Sequence, residues 1–152
     1  MGIYVRYLSE MPKEYKLYGV FIANPYGTVA ETAVANNFER IALDIGSQNI
    51  VASLLTWEGR TQAEKKFGIK VTDLRPVLVI TEVHPEEWTP DMPMIKIQLG
   101  RIETEDTVKN FLFQLTYWLA TEDLGRIRWE LRLQRLKKIA AHIPAVIELL
   151  KP

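Results

Sequence analysis

Residues 66–81 read KFGIKVTDLRPVLVIT, and Pro76 leads directly into the apolar run VLVI. Proline fixes the backbone angle φ and has no N–H donor, so the start of a strand is one of the few places where a sheet accepts it. A short stretch with helical character ends at Gly68, and a loop connects it to Pro76. The pattern therefore predicts a helix, a loop and a strand that begins at Pro76.

Two more buried strands are predicted before this proline. The runs LYGVFIA at 17–23 and NIVASLLTW at 49–57 are apolar over the length of a strand, which is typical of strands buried on both faces. Between them, Thr28 and Glu31 have the spacing of a capping box, and apolar residues then recur at helical spacing as far as Ile45. A long helix is predicted to join the two strands.

Shorter elements are predicted on either side of these strands. Residues 3–8 are rich in β-branched and aromatic side chains and predict an N-terminal strand. The short helix before Gly68 is predicted to span 61–67, with Thr61 as its N-cap.

The sequence after Pro76 predicts a strand pair and a helix. The core strand covers 76–83, and MIKIQL at 94–99 alternates apolar and polar residues, which predicts a half-buried antiparallel partner. Thr104 then precedes a helix predicted to continue to about Glu122.

The last segment is predicted to be helical and is basic. Residues 126–142 have helical character, Pro144 breaks the pattern, and 145–150 are predicted to form one or two more helical turns. Residues 126–152 hold 7 Lys/Arg against 2 Asp/Glu, although the whole chain holds 19 of each. Such an asymmetry indicates that this end docks on an acidic surface of its own chain or of a neighbour.

From residue 17 to residue 122 the predicted order is β-α-β-α-β-β-α. This order, with the stretches AEKKFGIKVTDLRPVLVI and QLGRIETEDTVKNFLFQL, resembles the thioredoxin fold. The resemblance implies a mixed α/β sheet, here with an N-terminal strand and an extra C-terminal helix. It also implies that Pro76 is a cis-proline beside the start of the first long helix.

The chain departs from that family at the catalytic motif. Thioredoxins carry Cys-x-x-Cys at the start of the first long helix, where this chain has PYGTVAE, and it contains no cysteine. Thiol–disulfide exchange needs a thiolate and is therefore excluded. The resemblance implies peptide binding instead, by main-chain pairing beside the proline. The residues that would form this site are Tyr26, Gly27, Thr28, Arg75 and Pro76. The alternative is that Pro76 only shapes the start of a strand in a fold kept as a scaffold.

No catalytic constellation stands out in the sequence. There is no G-x-S-x-G motif and no glycine-rich phosphate-binding motif. Glu82, His84 and Glu86 alternate, so an extended backbone would place three metal-binding side chains on one face, but Pro85 interrupts them. We expect a non-enzymatic protein with no cofactor and no metal; an enzyme that uses the acidic loop 82–91 is a further alternative.

The C-terminal segment carries an apolar seam with the spacing of a helix that packs against another helix. Its residues, which we predict to form an oligomer interface, are Trp129, Leu133, Leu136, Ala140 and Ile143. A basic edge of Arg128, Arg132 and Arg135 lies beside it. Three interpretations stay open: the helix covers its own sheet or the 104–122 helix, it pairs with a second subunit, or it binds nucleic acid or an anionic membrane through its basic face.

These observations predict a cysteine-free, thioredoxin-like α/β domain over residues 1–125 with a basic amphipathic helical extension over 126–152. Its predicted function is a non-catalytic protein or peptide interaction module that forms a homo-oligomer, with a dimer favoured. The alternative is a nucleic-acid-associated protein that binds through the 126–138 helix. No apolar run is long enough to span a membrane, and residues 1–14 lack a signal-peptide pattern, so we expect a cytoplasmic protein with no membrane partner.

Overall fold

Strands and helices alternate along most of the chain. The computed structural model describes residues 1–24, 27–121 and 128–151. A single 3-10 turn, Leu8–Glu10, follows the first strand. In chain order the elements are β1 (Gly2–Val5), β2 (Leu17–Ile22), α1 (Val29–Asp44), β3 (Asn49–Leu54), α2 (Trp57–Lys66), β4 (Val77–Thr81), β5 (Met94–Gln98), α3 (Glu105–Thr121), α4 (Trp129–Ile139) and β6 (Val146–Leu150).

The strands form one mixed sheet of six, in the order β1-β3-β2-β4-β5-β6. The first three strands of that order run parallel to one another. From β2 onward each neighbour is antiparallel to the one before it. The predicted α/β class with a mixed sheet is confirmed.

The sheet separates two apolar cores, because successive residues of a strand face opposite sides. In β2, Leu17 and Phe21 face the core that α1, α3 and α4 cover. Tyr18 and Val20 face the other core, which Ala63 of α2 covers. The strand β2 is therefore buried on both faces, as the apolar run at 17–23 predicted.

The capping box predicted for the first long helix is present. Thr28 accepts a hydrogen bond from the Glu31 N–H at 3.2 Å, and the Glu31 carboxylate accepts one from the Thr28 N–H at 2.9 Å. These bonds satisfy two N–H groups that the first turn of a helix leaves without intrahelical partners. They fix the residue at which α1 begins.

The predicted start of α2 is wrong. The helix is capped by Thr56, whose hydroxyl accepts from the Gly59 N–H at 3.0 Å, and Thr61 lies inside the helix. Glycine is a common turn residue, but Gly59 lies inside this helix and packs closely: a Cβ there would lie 1.7 Å from the Arg6 carbonyl oxygen. A glycine required by tertiary contact has the same sequence signal as a glycine required by a turn.

The prediction that β5 is half-buried is also wrong, since all five of its residues are buried. Lys96 and Gln98 are covered on the α2 side of the sheet, and both contact Asp73 in the loop that precedes Pro76. Alternation of polar and apolar residues shows that one face of the strand is polar and the other is apolar. It does not require either face to contact water.

The helical turns predicted for 145–150 are wrong, because this segment forms the strand β6. It pairs antiparallel with β5, with Ile95 opposite Leu149 and Ile97 opposite Ile147. The segment covers what would otherwise be the edge of a fully buried strand, and its branched apolar side chains suit a sheet. The predicted boundary at residue 125 and the helix end at Glu122 lie outside the described residues.

Candidate functional site

Pro76 sits directly before β4, and the Arg75–Pro76 peptide bond is cis. The chain around it is fastened to the residues that follow β5. The Leu99 N–H donates to the Pro76 carbonyl at 3.0 Å, and the Gly100 N–H donates to the Leu74 carbonyl at 3.3 Å. Because β4 lies between β2 and β5, the proline opens a central strand and is not at the rim of the sheet.

The start of α1 contacts this loop directly. The Thr28 hydroxyl donates a hydrogen bond to the Arg75 carbonyl oxygen at 3.3 Å. Gly27 precedes Thr28 and is exposed. The structure therefore brings together Gly27, Thr28, Arg75 and Pro76 of the predicted site. The fifth residue, Tyr26, lies outside the described residues.

Exposed apolar side chains that are not among the predicted site residues flank this contact. Val29 follows Thr28 and is 44% exposed, whereas Leu74 precedes Arg75 and is 37% exposed. Val71, in the same loop, is 96% exposed. Single exposed apolar residues are ordinary, but here two of them adjoin the hydrogen bond that joins α1 to the loop. The sequence pattern does not distinguish these exposed apolar residues from apolar residues of the core.

The two ends of Arg75 have different roles. Its guanidinium donates to the Asp73 carbonyl at 3.0 Å and also pairs with the carboxylate of Glu64. The side chain is thus held against α2. Among the described residues no acceptor satisfies the Arg75 backbone N–H, which leaves a main-chain donor beside the exposed apolar residues.

A buried polar cluster supports the loop from below. The Lys96 ammonium lies 3.0 Å from the Asp73 carboxylate and 3.9 Å from that of Glu148 in β6. The Gln98 amide donates to Asp73 at 3.1 Å and to Glu148 at 3.2 Å, and its oxygen accepts from the Leu74 N–H at 2.9 Å. Buried charges persist when they are paired and hydrogen-bonded in this way. The cluster fixes the loop to β5 and β6.

The pKa of Asp73 reflects the balance inside this cluster. Burial of the carboxyl acts to raise its pKa, but the hydrogen bond from the Lys70 N–H at 2.8 Å and the Lys96 ammonium outweigh it. The pKa is therefore lowered from its ordinary value of 3.8. Asp73 holds its negative charge and forms an ion pair with the Lys96 ammonium.

Gly100 lets the loop approach the sheet closely. A Cβ at this position would lie 2.6 Å from the Arg75 carbonyl oxygen and 2.8 Å from the Leu74 Cβ. No side chain fits there unless the loop moves. Gly100, two residues after the end of β5, therefore sets the position of the candidate site.

The three alternating residues considered for metal binding do not act together. The Glu82 carboxylate pairs with Arg132. His84 is buried, with its Nδ1 accepting from the Glu86 N–H at 3.1 Å and its Nε2 2.8 Å from the Met11 carbonyl. Across the described residues no group of three His, Cys, Asp or Glu side chains could hold a metal ion. His84 instead joins two loops.

The apolar seam of the C-terminal segment packs partly within its own chain. Leu136 and Ala140 are 0% and 8% exposed and lie in the core formed with α1 and α3. Trp129 and Ile143 are half-buried against the same core, and Leu133 is half-buried. Leu136 therefore has no surface left for a second subunit. Assembly through the remaining seam residues stays a prediction.

The predicted basic edge is not intact. Arg132 is 2% exposed, pairs with Glu82 and lies 4.5 Å from the centre of the Trp129 ring. Arg128 is exposed and Arg135 is half-buried, so the three arginines do not form one exposed face.

No helix in the described ranges is both long enough and apolar enough to cross a membrane. No family model, no curated protein and no solved structure matches the chain.

Proposed function

We propose that this chain has a thioredoxin-like fold without thiol chemistry and acts as a non-catalytic module that binds an extended peptide or protein segment. The proposed binding face consists of Gly27, Thr28, Val29 and Leu74–Pro76. The absence of cysteine removes the family's redox reaction but leaves a surface that needs only main-chain groups and apolar contacts.

The order and direction of the strands support the fold proposal. The helix that carries Thr28 follows a central parallel strand, β2, and Pro76 opens the antiparallel strand beside it. This is the arrangement that the resemblance implies for residues 17–122. The first strand, β1, and the last, β6, extend the sheet at its two edges.

One observation carries the functional proposal: the 3.3 Å hydrogen bond from Thr28 to the Arg75 carbonyl joins two segments whose neighbouring residues, Val29 and Leu74, expose apolar side chains. An apolar contact on each side of an available main-chain N–H is what strand-type peptide recognition uses. The support beneath the loop, from Asp73 to Lys96, holds these groups in place before a peptide arrives, and such preorganisation lowers the cost of binding.

A peptide selection tests the proposal. A displayed library of random dodecapeptides is panned on the wild-type protein, and the affinities of the selected peptides are measured by fluorescence anisotropy. Val29→Asp should weaken binding at least about tenfold, equivalent to about 1.4 kcal/mol, because it places a charge in the apolar contact. An acidic residue in the first turn favours a helix, so this variant should keep its fold.

Leu43→Asp is the matched control. Leu43 lies near the other end of α1 and is 83% exposed, so the same kind of substitution there should leave the affinity unchanged. Leu74→Asp provides a second change on the opposite side of the proposed face. Peptides that bind Val29→Asp and Leu74→Asp as tightly as wild type would refute the proposal, and so would a selection that yields no binder.

A further inference from the structure

A second groove opens at the opposite end of β5 from Pro76. Its volume is about 450 Å³, within the range of ligand-binding clefts. The C-terminal end of α2, the loop around residue 90 and the end of β6 form its walls. Its apolar lining includes the buried Trp88, the half-buried Met92 and the exposed Leu150, and the Trp88 ring packs against Phe67 with ring centres 5.3 Å apart.

All the charged side chains that line this groove are lysines, namely Lys65, Lys66 and Lys151. Although the whole chain has no net charge, these three lysines make the electrostatic potential at the groove locally positive. Lys66 donates to the Glu86 carbonyl at 3.0 Å and Lys151 pairs with Glu130. Lys65 is exposed and has no partner among the described residues. A ligand that enters the groove therefore meets positive charge on an apolar floor.

The strand that forms one wall also offers main-chain groups. β6 pairs with β5 on one side, and no strand of the described part of the chain pairs with its other side. Unlike the fully buried β4 and β5, its residues Val146–Leu150 are half-buried or exposed. The outer N–H and C=O groups of such an edge form a template for another extended chain.

We propose that this groove and the outer edge of β6 together bind an extended acidic peptide as a seventh strand of the sheet. Its backbone would pair with β6, its acidic side chains would meet the lysines, and its apolar side chains would cover Met92 and Leu150. Alternation along a strand separates the two kinds of side chain. A fatty acid would satisfy the charge and the apolar floor but would leave the β6 edge unused, so the peptide fits more of the site.

The probes are two capped, fluorescently labelled octapeptides, one alternating glutamate with valine and the other alternating lysine with valine. The acidic peptide should bind the intact protein and the basic peptide should not. Affinity for the acidic peptide should fall as salt is raised, because salt screens exposed charges beyond about 10 Å at 0.1 M ionic strength. A third probe, the acidic peptide with alternate backbone nitrogens methylated, should lose binding because it cannot donate to β6.

Lys65→Glu should weaken binding of the acidic peptide about tenfold, because it replaces an attraction at the groove with a repulsion. Lys137→Glu is its matched control. Both lysines are exposed in the last turn of a helix, α2 or α4, so both reversals cost the same interaction with the helix dipole. Lys137→Glu should leave the affinity unchanged, and thermal unfolding should show equal stability for the two variants.

Three results with the peptides would overturn the proposal: equal binding of the acidic and basic peptides, unaltered affinity in Lys65→Glu, or unaltered affinity of the methylated peptide. Decanoate serves as the fatty-acid probe, and its binding in the groove without binding of the acidic peptide would also overturn the proposal. Self-association through β6, seen by sedimentation at the assay concentration, would assign the edge to a second copy and would also overturn it. Val29→Asp should not alter this binding, so the two proposed sites can fail separately.

Discussion

Gly100 is the residue on which the position of the Arg75 loop depends most directly. Gly100→Ala would place a Cβ against backbone, at 2.6 Å from the Arg75 carbonyl oxygen, so the loop and not a flexible side chain would have to move. We expect a loss of about 1–3 kcal/mol in the free energy of unfolding, measured with urea, together with weaker binding of the selected peptides.

Gly19→Ala is the control for this prediction. Gly19 is in the central strand β2, and a Cβ there would meet the Val51 and Leu78 side chains at 3.4 and 3.5 Å, which are ordinary contacts. Alanine should be neutral or should stabilise by up to about 1 kcal/mol, since it restricts the unfolded chain. If both alanine variants have the same stability, close approach at Gly100 is not a constraint.

Asp73 is the second residue at which a substitution should change the stability of the fold. Asp73→Asn keeps the shape of the side chain but leaves the buried Lys96 ammonium with only the more distant Glu148 carboxylate. We expect a loss of about 3 kcal/mol near neutral pH, because a buried charge without its partner is costly. Asp44→Asn is the control, since Asp44 forms an exposed pair with Arg40 at 3.5 Å and such pairs contribute less than about 1 kcal/mol.

The effect of Asp73→Asn should depend on pH. A lowered pKa means that the carboxylate stabilises the folded state above the ordinary value of 3.8 and that this contribution is lost as the pH falls through the folded pKa. The difference between wild type and Asp73→Asn should therefore be largest at about pH 5–7 and should shrink below about pH 4. Urea unfolding at a series of pH values measures it, and a difference that stays constant to pH 3 would contradict the assignment.

At the scale of elements, substitutions in α4 test whether this helix packs against its own chain. Leu136 is fully buried, whereas Leu131 on the same helix is 44% exposed. We expect Leu136→Ala to cost about 2–5 kcal/mol in a dilute, monomeric sample and Leu131→Ala less than about 0.5 kcal/mol. Equal, small effects in chemical unfolding would contradict the burial of Leu136 within its own chain.

The elements also show where sequence patterns succeed. The run at 17–23 contains the fully buried strand β2, and the Thr28 capping box marks the start of α1 to the residue. The strand predicted over 49–57 is right only as far as Leu54, because Thr56 caps α2 and Trp57 is 69% exposed. The pattern of the segment 145–150 predicts the wrong element because five apolar residues with Glu148 among them, placed after a helix, fit a helix and a strand equally. What decides between them is the open edge of β5, a feature of the tertiary structure.

At the scale of the molecule, the candidate site lies where three distant segments meet: the start of α1, the loop before β4 and the residues after β5. The resemblance in the order of elements implied that Thr28 lies beside Arg75, and the two residues are in contact. It could not select Val29 or Leu74, because exposure of an apolar side chain depends on what the rest of the sheet covers. Nor could it find the cluster of Asp73, Lys96 and Glu148, whose members are far apart in sequence.

The most direct test of the proposed peptide-binding face maps the contact itself. A peptide from the selection is titrated into the ¹⁵N-labelled protein, and the backbone amide shifts are followed by NMR. The largest changes should fall on Gly27–Val29, on residues 71–75 with the Arg75 N–H among them, and on Gly100. If the changes instead concentrate around Lys65 and Lys151, or on α4, the face beside Pro76 is not the binding site and the proposed function is wrong.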